Sequence, residues 1–126
     1  MKTITNAFDL SQRFYFDAAH TLNRSYDTKG SLQIHGHTYE AAVTITGNPD
    51  INTGMIVDLA VLRQEIEHVR LLLDHRFLDE IDELGPATLE NLALFISKNL
   101  ELKFSNLQSV MVERRVSGER CLLRLK

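Results

Sequence analysis

The hydrophobic period changes twice along this chain, and the order of the changes restricts the folds it can adopt. Apolar residues recur three or four apart in two consecutive central segments, whereas aromatic and β-branched residues dominate the segments on either side. A period near 3.6 indicates an amphipathic helix, and β-rich runs indicate strands. The predicted element order is therefore ββααββ. This order favours an α+β domain in which two helices cover one face of an antiparallel sheet.

Four strands are expected in two pairs. The first strand covers 13–20 and the second 37–46, and a polar loop over 23–30 separates them. The second pair is a closing hairpin that joins 107–113 to 120–125 through a serine-glycine turn.

Both helices carry capping residues at their predicted starts. Asp58 precedes an apolar stripe that runs to Leu73, and Thr88 precedes one that runs to Leu100. Glu90 falls in the first turn of the second helix, where the helix dipole favours a carboxylate.

Composition indicates one soluble domain over residues 1–126. The chain is 44% hydrophobic, which suffices for a single core, and its formal charge of −3 provides no overall attraction for nucleic acid or an anionic membrane. No apolar run resembles a signal peptide or a membrane span, so a cytoplasmic location is expected. Its single cysteine, Cys121, excludes an intramolecular disulfide, and its expected role is a small buried hydrophobe.

Three histidines form the strongest candidate site. His35 and His37 are two residues apart at the start of the second strand, so they project from one face, and His20 ends the first strand. Three imidazoles suit zinc and leave a fourth tetrahedral position for water or substrate. Spacing alone leaves open the alternative of half-buried strand histidines without a metal.

Asp74 and His75 form a second candidate site, at the end of the first helix. A carboxylate beside an imidazole can fix its tautomer and raise its pKa, as a general acid or base requires. Adjacent helical residues do not face each other, so a solvated charge at the helix terminus is the alternative.

Five segments carry a resemblance to a known family. They are Phe16-Asp17-Ala18-Ala19-His20, His35-Gly36-His37-Thr38-Tyr39, Asn52-Thr53-Gly54-Met55-Ile56-Val57-Asp58, Leu73-Asp74-His75-Arg76-Phe77-Leu78 and Thr88-Leu89-Glu90-Asn91-Leu92-Ala93. In this order they resemble the family of 6-pyruvoyltetrahydropterin synthase and 6-carboxytetrahydropterin synthase. The resemblance implies a T-fold, in which subunits join their sheets into a trimeric barrel, two barrels stack into a hexamer, and active sites lie between subunits.

The resemblance implies a zinc-dependent carbon–oxygen lyase that eliminates triphosphate from 7,8-dihydroneopterin triphosphate. The 6-carboxytetrahydropterin branch, which feeds deazaguanine and hence queuosine synthesis, is favoured over the biopterin branch on resemblance alone. The residues that match functional positions of the family are His20, His35 and His37 for zinc, Asp74 and His75 for proton relay, and Thr88 and Glu90 for the pterin ring.

One departure from the family concerns its general base. Four residues before His35, where the family carries a cysteine, this chain has Ser31. A serine hydroxyl is a poor base unless another group takes its proton. The replacements left open are the Asp74–His75 pair acting on Ser31, then Tyr26, Asp27 and Cys121.

A second departure lies in the third strand. The family pattern of Val, any, Val, any, Glu, Thr aligns with 110–115 and places Arg114 where the pterin-anchoring glutamate is expected. Glu113 is one residue away and could substitute only through a bulge, because a slip of one residue reverses the face. Two interpretations of Arg114 stay open: it binds a carboxylate or phosphate, or it is an exposed arginine in a locally realigned hairpin.

These departures keep two other functions open. The first is an aldolase-like cleavage of the same substrate without a cysteine. The second is a non-catalytic zinc-containing protein that binds an anionic or heterocyclic ligand through Arg114.

Overall fold

A computed structural model of the chain describes residues 6–26 and 28–125. The strands are β1 (Phe8–His20), β2 (His35–Gly47), β3 (Arg76–Phe77), β4 (Leu107–Arg114) and β5 (Glu119–Arg124). The helices are α1 (Thr28–Leu32), α2 (Leu59–Leu73) and α3 (Leu89–Leu100), and two 3₁₀ turns cover Leu78–Glu80 and Asp82–Leu84.

The strands form one sheet in the order β3-β1-β2-β4-β5. The four longer strands are antiparallel, as predicted, but β3 pairs with β1 in parallel and makes the sheet mixed. A two-residue strand carries no hydrophobic period, which explains why the sequence did not reveal it.

The segment between β1 and β2 differs from the predicted loop. Residues 21–26 lack helix and strand, but Thr28–Leu32 is helical, so α1 replaces the end of the loop expected over 23–30. The backbone N–H of Leu22 donates to the carbonyl of Ser31 at 2.7 Å and ties α1 to the end of β1. One helical turn is too short for its period to be visible in sequence.

The core lies between the sheet and helices α2 and α3. Alternation along β1 and β2 turns one side chain in two toward these helices, and both helices bury their apolar stripes there. Fully buried side chains include Phe16, Tyr39, Ile45, Leu62, Leu73, Leu92 and Ile96. Every helix of the described residues is too short or too polar to cross a bilayer.

The opposite face of the sheet is polar. The buried carboxylate of Glu40 lies 2.7 Å from Arg13 Nη1 and 2.7 Å from Arg115 Nη2. Glu113 is the cross-strand partner of Glu40 and lies on this same face. The two faces of the sheet therefore separate this charged cluster from the three histidines.

Candidate metal centre and active site

The three histidines converge at one end of the sheet. His20 and His35 are direct cross-strand partners in the β1–β2 ladder, and His37 lies two residues further along the same face of β2. The Nε2 atom of His20 lies 2.9 Å from that of His35 and 3.1 Å from that of His37. Pairing and alternation thus bring the predicted ligands together.

Backbone carbonyls fix the tautomers of two of these rings. The Nδ1 of His20 lies 3.0 Å from the carbonyl oxygen of Ala87, and that of His35 lies 2.8 Å from the carbonyl oxygen of Gln33. A carbonyl only accepts hydrogen bonds, so each Nδ1 is the protonated nitrogen and each Nε2 presents a lone pair. Two lone pairs 2.9 Å apart repel each other unless a cation lies between them.

This donor set fits a divalent metal that prefers imidazole nitrogen, zinc among them. Hydrogen bonds from the far ring nitrogens to carbonyls are the usual support of metal-binding histidines. Burial lowers the pKa of His20, and burial together with the positive charge of Arg114 lowers the pKa of His37 to about 4. Both rings are therefore neutral near pH 7, the form that binds a metal.

Arg114 closes one side of the cluster. Its Nη1 donates to Nε2 of His37 at 3.2 Å, and its Nη2 donates to Oε1 of Glu119 at 3.2 Å. Hydrogen bonding from Ser117, with a smaller contribution from the charge of Arg114, lowers the pKa of Glu119, so it is a carboxylate. Glu119 carried no functional signal in the sequence, because its position opposite Arg114 depends on the hairpin register.

Ser31 lies beside the three histidines. It is 3% exposed and lines a cavity of about 350 Å³ together with all three histidines. Among its possible replacements, Tyr26 is 83% exposed and does not line this cavity, and Asp27 lies outside the described residues. Burial, and secondarily the charge of Glu90, raises the pKa of the Cys121 thiol, which is the opposite of activation.

A second recess of about 160 Å³ adjoins His20. It is lined by both residues predicted to hold the ring, Thr88 and Glu90, and also by Tyr39 and Arg114. The Thr88 hydroxyl caps α3 by accepting from the backbone N–H of Asn91 at 3.1 Å. The buried Tyr39 hydroxyl has no hydrogen-bond partner among the described residues, and burial raises its pKa to about 12, so it stays a donor.

The register of β4 places Glu113 and Arg114 on opposite faces of the sheet. Arg114 lines the recess, whereas Glu113 lies on the opposite face, 3.7 Å from Nη1 of Arg13. The one irregularity between β2 and β4 in the described residues falls at Thr44 and Ile45, away from this position. In the described residues, Glu113 therefore does not line the recess that contains Thr88 and Glu90.

Asp74 and His75 are in contact, although adjacent residues of a helix do not face each other. Helix α2 ends at Leu73, Asp74 has extended backbone angles, and His75 has a φ of 57°. The turn brings His75 Nδ1 to 2.9 Å from Asp74 Oδ2. Asp74 Oδ1 accepts from the backbone N–H of Asp17 at 2.9 Å, and this bond is the main reason that the pKa of Asp74 is lowered.

The pair does not join the histidine cluster within one chain. The His75 side chain is 79% exposed and borders an open groove of about 570 Å³ that Asp17, His37 and Thr38 also line. Among the described residues, the nitrogen atoms that lie within 4.8 Å of one another belong to His20, His35 and His37. Within a single chain, the cluster of three histidines and the Asp74–His75 pair are therefore separate groups of side chains.

Comparison with known proteins decides the family. A family model described as 6-pyruvoyl tetrahydropterin synthase matches residues 9–121. The chain belongs to this family. This member of the 6-pyruvoyl tetrahydropterin synthase family is 40% identical to the 6-pyruvoyl tetrahydrobiopterin synthase of Drosophila melanogaster over 73 residues, 55% of this chain and 44% of the fly protein. The aligned part is thus less than half of the fly enzyme.

For two further relatives, the aligned part is a larger share of the relative's own length. Dihydroneopterin monophosphate aldolase of Pyrococcus furiosus is 34% identical over 88 residues, which are 70% of each protein. The structure of 6-pyruvoyl tetrahydropterin synthase from Caenorhabditis elegans matches with a TM-score of 0.83 at 26% identity, covering 99% of this chain and 100% of that chain. The predicted family and the α+β T-fold are confirmed for this pterin synthase family member.

Proposed function

We propose that this protein is a zinc-dependent carbon–oxygen lyase that acts on 7,8-dihydroneopterin triphosphate and releases triphosphate. The observation that carries the proposal is the convergence of three ring nitrogens at the end of the sheet, with lone pairs aimed at one point by carbonyl contacts. Zinc held by these nitrogens would act as a Lewis acid toward the oxygen atoms of the substrate side chain.

Side chains of the protein bind the pterin ring and transfer protons. In the recess beside His20, the Glu90 carboxylate accepts hydrogen bonds from ring N–H groups, and the Tyr39 hydroxyl donates to a ring oxygen or nitrogen. His75 accepts a proton at Nε2 while Asp74 holds its Nδ1–H. Ser31 lines the cavity that contains the three histidines. Its hydroxyl can take up a substrate proton only when another group accepts the hydroxyl proton.

The separation of His75 from the metal centre supports an oligomeric site. We propose that a second copy of the chain completes it, so that the partner subunit's His75 faces the three histidines of the first subunit. The two-residue strand β3 and the strand β5 are the outer strands of the sheet and are available for pairing between copies. A trimer, or two stacked trimers forming a homohexamer, satisfies this requirement.

Product identity rests on resemblance. We keep 6-carboxytetrahydropterin as the preferred product, with a role in queuosine synthesis, and 6-pyruvoyltetrahydropterin as its competitor. A cytoplasmic location stays a prediction.

An aldolase-like cleavage is the second candidate, and one observation favours it. The cavity with the three histidines contains Ser31, and no thiol is among the described residues that line it. The relative from Pyrococcus furiosus carries the name of a dihydroneopterin monophosphate aldolase, so a cleavage of the pterin side chain is documented by name in the family.

The experiment is incubation of zinc-loaded protein with 7,8-dihydroneopterin triphosphate, with triphosphate and pterin products followed by mass spectrometry. Wild type is compared with Ser31→Cys, with His75→Asn, and with His68→Ala as a matched control, because His68 is an exposed histidine of α2. We expect triphosphate release by wild type and by His68→Ala, and its loss in His75→Asn.

Other products separate the alternatives. A pterin with a shortened side chain, formed by carbon–carbon cleavage without triphosphate elimination, establishes the aldolase. Turnover by Ser31→Cys alone means that the natural reaction differs from that of the family. Binding without turnover in every variant leaves the non-catalytic ligand-binding protein and contradicts the lyase.

A further inference from the structure

Arg114 contacts one of the three proposed metal ligands directly. Its Nη1 donates to the same Nε2 lone pair of His37 that faces the other histidines, at 3.2 Å. The side chain is 25% exposed and lines the cavities on both sides of the cluster. A permanently charged N–H donor is therefore hydrogen-bonded to the nitrogen atom through which His37 would bind the metal.

A lone pair cannot serve an N–H donor and a metal ion at the same time. When a divalent ion takes the Nε2 of His37, the Nη1 of Arg114 must withdraw. The charge of Arg114 then remains within a few ångströms of a second, larger positive charge, and the two repel each other.

Glu119 opposes this repulsion. It is the cross-strand partner of Arg114 in the β4–β5 hairpin, and its carboxylate accepts from the Nη2 of Arg114 at 3.2 Å. The carboxylate neutralises the guanidinium and gives it a position that does not require the lone pair of His37. Its negative charge also faces the cavity that contains the three histidines.

We propose that Arg114 competes with the metal for His37, and that Glu119 limits this competition. The pair sets the metal affinity of the centre, with Arg114 lowering it and Glu119 restoring it. The proposal rests on the metal-binding role given to the three histidines above, and it assigns to Arg114 and Glu119 a positioning role that acts through His37.

The test is the zinc dissociation constant, measured by competition with a chromogenic chelator at pH 7.5 and fixed ionic strength. Arg114→Gln is expected to bind zinc about tenfold more tightly than wild type, because the positive charge beside His37 is removed. Glu119→Gln is expected to bind it several-fold more weakly. Arg114→Lys, which keeps the charge and the donor, is expected to stay close to wild type.

The opposite signs separate this effect from damage to the fold, since a disrupted hairpin would weaken zinc binding in every variant. Thermal unfolding of each metal-free variant provides the check on folding. The proposal is overturned if Arg114→Gln binds zinc no more tightly than wild type.

The outcome also distinguishes failure of this proposal from failure of the proposed function. If wild type and all three variants bind zinc with equal affinity, and His35→Ala abolishes binding, the metal centre is supported. The proposed role of Arg114 is then refuted. Zinc binding by Arg114→Gln alone supports the competition in its strongest form. Absence of zinc binding in every protein refutes both.

Discussion

Single hydrogen bonds decide how the catalytic candidates present their ring nitrogens. The carbonyls of Gln33 and Ala87 turn two Nε2 lone pairs inward, and the Asp74 carboxylate holds Nδ1 of the exposed His75. In each of these rings Nδ1 is held by a hydrogen bond, and Nε2 is available to bind a metal or accept a proton.

Asp74 connects the relay to the stability of the fold. It accepts from the backbone N–H of Asp17 and pairs with Arg70 at 2.9 Å, and its pKa is lowered in the folded chain. A lowered folded pKa contributes stability that is present above the unfolded pKa, near about 4, and is lost as the pH falls through the folded value.

We therefore expect Asp74→Asn to lower the free energy of unfolding at pH 7 by about 1–2 kcal/mol. The difference between wild type and variant should shrink as the pH falls below about 4. Urea unfolding at a series of pH values measures it. A difference that stays constant down to pH 2 would contradict the ionic origin.

At the scale of elements, capping residues located the helices well. Asp58 caps α2 by accepting from the backbone N–H of Ala60 at 2.9 Å, and Thr88 caps α3, as their positions before the apolar stripes predict. Strand β1 begins five residues earlier than predicted, at Phe8, because its first half alternates too weakly for the sequence to mark it.

Asp58→Ala is expected to destabilise the protein by about 1 kcal/mol, since an N–H in the first turn of α2 loses its acceptor. Asp9→Ala, which removes an exposed aspartate from β1, is the matched control and should change stability by less than about 0.5 kcal/mol. Chemical denaturation of both variants checks the comparison. A loss of equal size in the two would assign the effect to net charge rather than to capping.

The site was predictable to the extent that it follows strand alternation. The histidines could be placed from their spacing, because side chains two apart share a face. The positions of Glu113 and Glu119 could not, since they depend on which residues of β4 oppose β2 and β5. The Asp74–His75 contact depends on a left-handed residue that spacing does not reveal.

At the scale of the whole molecule, the proposed intersubunit site gives the clearest expectation. We expect a mass of a trimer or a hexamer of the 14.4 kDa chain in light scattering at micromolar concentration. The partner subunit's His75 would then face the three histidines of the first subunit. A monomer that nevertheless turns over the substrate would contradict the intersubunit site.

The positive φ of His75 also limits which residues can occupy position 75. Asparagine, aspartate, histidine and above all glycine tolerate that backbone region, whereas β-branched and bulky residues do not. Of these four residues, histidine alone combines the turn with a group that exchanges protons near neutral pH. Glycine, asparagine or aspartate at position 75 is therefore expected to preserve the turn while removing the proposed base.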